Sequence, residues 1–146
     1  MKLVVGVARW IHTVDRLDLA REISKRATSI QEVLLEINIG GESQKAGARV
    51  DEALALATAV SSLDRVRLIG LMAIPPAHDD PEASRPHFAA LAALGHELAA
   101  RGALPVHFEL SMGMSDDFEQ AIEEGATSVR VGTAIFGSRP TRTAGA

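Results

Sequence analysis

Two short stretches carry the chemistry legible in this chain: Leu110-Ser111-Met112-Gly113-Met114-Ser115-Asp116-Asp117 and Arg130-Val131-Gly132-Thr133-Ala134-Ile135-Phe136-Gly137. Each is an apolar run ending in small and hydroxyl-bearing residues where a helix is expected to begin. Backbone N–H groups and the hydroxyls of Ser115 and Thr133 are thereby offered to a single anion, which makes the pair a phosphate cradle. The same residues also suit ordinary capping, with Ser115 as N-cap, Asp116 and Asp117 in the first helical turn, and Gly132 as a turn glycine. The two uses are compatible. Arg130 sits two residues before Gly132, on the same side of an extended strand, facing either the site or a neighbouring helix. A buried guanidinium there needs a partner, either a structural ion pair or a bound group.

Other candidate groups fit simpler roles. The run Gly40-Gly41-Glu42-Ser43-Gln44-Lys45-Ala46-Gly47 is glycine-rich but lacks the order GxxxxGK[ST], so it reads as a flexible loop rather than a nucleotide loop. His78-Asp79-Asp80 reads as a polar loop in which Asp80 caps a helix. His12, His87, His96 and His107 show no metal-ligand spacing. No Ser/His/Asp triad follows from the order of residues, and Asp116-Asp117 suits a helix N-terminus better than an acid/base pair. Neither catalytic nor metal-ligating residues are assigned.

These groups must be positioned by alternating strands and helices. Apolar runs predict strands over 10–14, 33–39, 67–74, 106–110 and 128–131. Helices are predicted over 15–26, 50–63, 81–101 and 116–124, with a short extra helix over 133–137. Asp80, Pro81 and Gly102 punctuate the longest helix, and Phe88, Leu91, Leu94 and Leu98 form its packing stripe. Strands alternating with helices imply an α/β fold with a parallel sheet, and nearly continuous apolar strands imply that both sheet faces are covered.

The chain has 146 residues, 47% hydrophobic and 23% charged, enough for one domain with a real core. A net charge of −4 and scattered arginines argue against nucleic-acid binding. Zero cysteines exclude disulfides and thiol chemistry. No apolar run approaches the roughly 20 residues that span a bilayer, so a cytoplasmic protein without membrane contact is expected.

Taken with Ile11-His12-Thr13-Val14-Asp15-Arg16, Glu36-Ile37-Asn38-Ile39, Lys45-Ala46-Gly47 and Gly70-Leu71-Met72-Ala73-Ile74-Pro75, the two cradle segments resemble the pyridoxal-phosphate homeostasis proteins. This is the YggS or PROSC type, similar to the barrel domain of alanine racemase. The resemblance runs from about residue 2 to 139, leaving 140–146 as a frayed tail. It implies a (β/α) TIM barrel, here an incomplete one of about five units, in which phosphate sits after the last two strands. It also implies the cofactor pyridoxal 5′-phosphate, with Met114, Ser115, Arg130, Gly132 and Thr133 as cofactor-binding residues. Arg130 would approach the pyridine nitrogen, which suits a carrier better than a catalyst.

By the same resemblance Lys45 lies at the mouth of the site as a secondary amine for free cofactor, and Asn38 and Met72 are candidates for lining it. The family's Schiff-base lysine lies on the first barrel strand, upstream of the part matched, so the chain reads as N-terminally truncated. An open five-stranded sheet with two raw edges is then expected, able to self-associate through them. The implied role is a non-catalytic carrier in vitamin B6 homeostasis. One alternative is an alanine-racemase-like isomerase, against which stand the missing lysine and the absence of any tyrosine. Another is a phosphate-binding barrel enzyme without pyridoxal phosphate.

Overall fold

The structure, a computed structural model, describes residues 4–137. Five strands form one parallel sheet in sequential order: β1 (Trp10–Val14), β2 (Gln31–Glu36), β3 (Val66–Met72), β4 (Glu109–Met114) and β5 (Ser128–Arg130). Helices α1 (Leu17–Arg26), α2 (Ala53–Ser61), α3 (Arg85–Ala100) and α4 (Phe118–Glu123) make the crossovers, and the one-turn α5 (Thr133–Phe136) follows β5. The alternation read from the sequence is therefore present throughout the described chain. The tail at 140–146 and Lys2 lie outside the described residues.

The core lies between the helices and one face of the sheet. Ile11, Val33, Leu35, Leu68, Leu71, Leu110 and Met112 point towards Ala20, Ile23, Ala57, Val60 and the α3 stripe of Phe88, Leu91, Leu94 and Leu98. The opposite face is concave, because neighbouring parallel strands twist and the sheet curls. Its curvature has a direct measure: His12 of β1 meets Ser111 of β4 at 2.9 Å, although three strand spacings of about 4.8 Å separate β1 from β4 in a flat sheet.

Both sheet faces were expected to be covered; helices pack on one face, and the concave one is partly polar. Leu34 and Met72 are buried there, outside the helix-facing cluster. Around them runs a polar line in which the Trp10 indole donates to Glu32, Arg67 pairs with Glu32, and Arg130 donates to Ser111. Strands β2 and β3 looked continuously apolar because Val33-Leu34-Leu35 and Leu71-Met72 interrupt this polar alternation.

Several boundaries move. The helix expected over 81–101 is a 3₁₀ turn, Pro81–Ser84, followed by α3, with the Asp80 carboxylate accepting from Glu82 N–H at 3.0 Å. The helix expected over 50–63 likewise starts as a 3₁₀ turn, Val50–Glu52. The largest correction concerns the strand placed at 106–110. Val106 is 81% exposed and lies in the approach to the strand, while β4 runs on to Met114. Its continuation was hidden by Ser111 and Gly113, poor strand formers. Gly113 has φ +90° at a register shift between β4 and β5, and a Cβ there would lie 2.5 Å from the Ala121 Cβ, so only glycine lets α4 pack this closely.

Candidate functional site

The C-terminal ends of the five strands gather Asp15, Asn38, Ala73, Ser115 and Gly132 on one rim, and the two cradle segments are neighbours there. Because β4 extends to Met114, Ser115 falls in the turn beside the end of β5. The Ser115 hydroxyl oxygen accepts from Gly132 N–H at 3.1 Å and from Ala134 N–H at 3.2 Å. The expectation that Ser115 caps the helix after β4 is thereby corrected: it caps α5, whose N-cap position is Gly132. Asp117 occupies the N-cap of α4 instead, and its carboxylate accepts Met114 N–H at 2.7 Å. Asp116 and Asp117 thus precede α4 rather than form its first turn.

Ser115 and Thr133 have N–H groups that find no acceptor among the described residues. Thr133 is exposed, so its hydroxyl is open to solvent at the same place. Two N–H donors without an acceptor among the described residues and one exposed threonine residue therefore lie at the start of α5, the kind of donor set an oxyanion can take. Met114 is 40% exposed on the same rim.

Arg130 stands behind these loops. Its Nη1 donates to the Ser111 hydroxyl at 2.7 Å and to the Ser111 carbonyl at 3.0 Å, and Nη2 donates to the Ala73 carbonyl at 3.0 Å. The ion pair considered for it does not form among the described residues. Instead the guanidinium clasps the ends of β3 and β4 from β5, and its Nε–H finds no acceptor among the described residues. Burial lowers its pKa, opposed by the charges of Glu36 and Asp117.

Three residues beside Arg130 were not singled out from the sequence. Ser111 is fully buried and shared between Arg130 and His12. Burial, and then the Arg130 charge, push His12 below the ordinary imidazole value. Burial, and then Asp15, push Glu36 above the ordinary carboxylate value, with Arg130 opposing. The available signal was partial: Ser111 is a polar position flanked by apolar ones in β4 and His12 follows Ile11 in β1, whereas Glu36 and Arg130 end strands that carry other polar residues.

Lys45 and Asn38 lie in the loop after β2, with no hydrogen bond to the cradle segments among the described residues. The Lys45 amine is 2.5 Å from a Glu42 carboxylate oxygen and 3.4 Å from the Pro75 carbonyl. The Asn38 amide donates to the Glu42 carbonyl at 2.6 Å and its oxygen accepts Glu42 N–H at 3.2 Å, folding the loop over a cleft of about 810 Å³. Met72 is buried at the end of β3, one residue before the Ala73 carbonyl that Arg130 holds.

A curled parallel sheet backed by helices, with two neighbouring loops after its last two strands, is an incomplete β/α barrel. Residues 3–140 match the family described as alanine racemase, N-terminal domain, and the chain belongs to that family. It is 46% identical over 144 residues to the pyridoxal phosphate homeostasis protein of Aquifex aeolicus, covering 95% of this chain and 62% of the relative. It is 44% identical over 134 residues to the protein of the same name from Pseudomonas aeruginosa, covering 90% and 56%. The chain thus spans less than two thirds of the length of these relatives.

Among solved structures, PipY of Synechococcus elongatus without PLP superposes with a TM-score of 0.84 at 33% identity, covering 93% of this chain and 65% of that one. PipY with PLP bound gives 0.81 at 32% identity, covering 93% and 64%. A D-threonine aldolase from Filomicrobium marinum, at 22% identity and a TM-score of 0.67 over 82% and 35%, shares the fold.

Proposed function

We propose that this chain is the phosphate-holding part of a pyridoxal 5′-phosphate-binding protein of vitamin B6 homeostasis, a cytoplasmic carrier rather than a catalyst. The observation that carries this reading is the Ser115 hydroxyl pinning the start of α5 to the end of β4, which leaves Ser115 N–H, Thr133 N–H and the Thr133 hydroxyl available to one phosphate. The names of the relatives and the PLP-bound form of PipY support the choice of ligand.

In this reading Ser115 and Thr133 hold the phosphate, Gly132 leaves open space for it against the backbone, Met114 covers it, and Arg130 faces the ring. The cofactor supplies an aldehyde and an electron-withdrawing ring. A permanently charged guanidinium at the ring nitrogen keeps a proton off that atom, which weakens the ring as an electron sink and favours storage and release.

A racemase reading is disfavoured by the residues present. The chain has no tyrosine, and of its three lysines Lys25 is exposed on α1 and Lys45 is paired with Glu42 in a loop. The strands β1 and β5 are the edges of the sheet, and self-association through them belongs to the same proposal. Equilibrium dialysis against pyridoxal 5′-phosphate and against pyridoxal tests the function. The phosphorylated form is expected to bind, pyridoxal to bind at least tenfold more weakly, and Thr133→Val to lose about 1 to 3 kcal/mol of the phosphorylated form's affinity. Equal binding of the two ligands, or an unchanged Thr133→Val chain, would refute the assignment.

A further inference from the structure

Among the described residues, the hydroxyl of Ser111 joins Arg130 to a residue of the far edge strand. It lies 2.7 Å from Arg130 Nη1 and 2.9 Å from His12 Nδ1, and Ser111 is fully buried. A guanidinium only donates, so the Ser111 oxygen must accept from Arg130. That leaves the single hydroxyl hydrogen to place. Among the described residues the side-chain acceptor in reach is His12 Nδ1. Were Nδ1 protonated, the oxygen would face two donors and its own hydrogen would be buried without an acceptor, at the cost such a group carries.

We propose that His12 is a positioning residue for the anion-binding end: its unprotonated Nδ1 accepts the Ser111 hydroxyl, which holds Ser111 as the acceptor of Arg130 and so fixes the direction in which the guanidinium faces. The role of Arg130 towards a ligand rests on the proposed function, whereas the His12–Ser111–Arg130 chain rests on geometry alone. Other forces agree. Protonated His12 would set a second cation on the hydroxyl that already serves Arg130, and burial together with the Arg130 charge lowers the imidazole pKa. The charged groups acting on this corner are Arg130 of β5, Glu36 at the end of β2, Asp15 after β1 and Asp117 ahead of α4. Arg130 is also held by the carbonyls of Ser111 and Ala73, so the hydroxyl decides its orientation rather than its presence.

Two variants separate an acceptor role from mere packing. In His12→Asn the amide oxygen can stand where Nδ1 stood, whereas His12→Leu fills similar space without an acceptor. Long-range ¹H–¹⁵N spectra of the unliganded chain, with His12 assigned by its variants, are expected to show the Nε2–H tautomer. The Arg130 Nη signals are expected to be resolved and alike in the parent and in His12→Asn, and shifted and broadened in His12→Leu, where the two carbonyl contacts remain but the hydroxyl is no longer oriented. Where pyridoxal 5′-phosphate binds the parent, its dissociation constant is expected to rise about fivefold in His12→Leu and to stay within about twofold in His12→Asn, as for one hydrogen bond acting through a neighbour.

An Nδ1–H tautomer overturns the proposal, as does a leucine variant with parental Arg130 signals, or an asparagine variant as impaired as the leucine one. If His12→Leu fails to fold, the parent's tautomer decides. If the parent binds no pyridoxal 5′-phosphate, the proposed function fails while the spectra still judge His12.

Discussion

Ser115 shows how one hydroxyl can organise two loops. Its oxygen serves two N–H groups at the start of α5, so Ser115→Ala leaves both without that acceptor and is expected to cost about 1 kcal/mol of stability, read as a lowered midpoint in urea unfolding. An unchanged midpoint would mean that water replaces the serine at no cost.

Glu36 has the opposite character, since burial and Asp15 hold its proton to higher pH than in the unfolded chain. The folded state then binds more protons than the unfolded state, and stability falls as pH rises from the ordinary 4.5 through the raised folded value. Glu36→Gln is therefore expected to melt above the parent at pH 7 and to match it below about pH 4, where both side chains are neutral. Thermal melts across that range check this, and a gain that persists in acid would place the cause outside ionisation.

At this scale the meeting of Ser115 with Gly132 was legible in the sequence, because hydroxyl and glycine residues cluster locally in the two segments. The sequence concealed His12, Ser111 and Glu36, because their meeting depends on a curl that brings residues 99 apart in sequence into contact.

Among the elements, β1 matches its expected bounds while β4 does not, and the difference is physical. Trp10–Val14 is aromatic and β-branched where a strand wants such residues, whereas β4 contains Ser111 and Gly113 and is held in place by the sheet rather than by propensity. Gly113→Ala meets both the positive φ and the 2.5 Å approach to Ala121, so α4 must back away from the strand. A loss of about 2 to 4 kcal/mol is expected in denaturant unfolding, from strain and overpacking together. A loss under about 0.5 kcal/mol would show that the β4 to α4 turn relaxes freely. The helices were legible as elements, since their stripes and caps are local: Asp80 and the α3 stripe hold as read, whereas α2 and α3 open with 3₁₀ turns and α4 starts at Phe118 with Asp117, not Ser115, at its N-cap.

On the scale of the molecule, helices back one face of a sheet whose other, concave face is partly polar, and the sheet's middle is its firmest part. Strands β2 and β3 are paired on both sides, whereas β1 and β5 are each paired on one. Amide hydrogen exchange is expected to be slowest in β2 and β3 and fastest in β5, only three residues long. Protection of β5 equal to that of β3 would indicate that another chain covers this edge.

Two places at the strand ends compete for a phosphate: the loops after β4 and β5, and the cleft around Lys45. Backbone amide shift mapping during a titration with pyridoxal 5′-phosphate distinguishes them directly. The largest saturable shifts are expected at Ser115, Gly132, Thr133 and Ala134, with Lys45 and Gly47 nearly unmoved; shifts concentrated at residues 42–47, or absent from both places, would contradict the account.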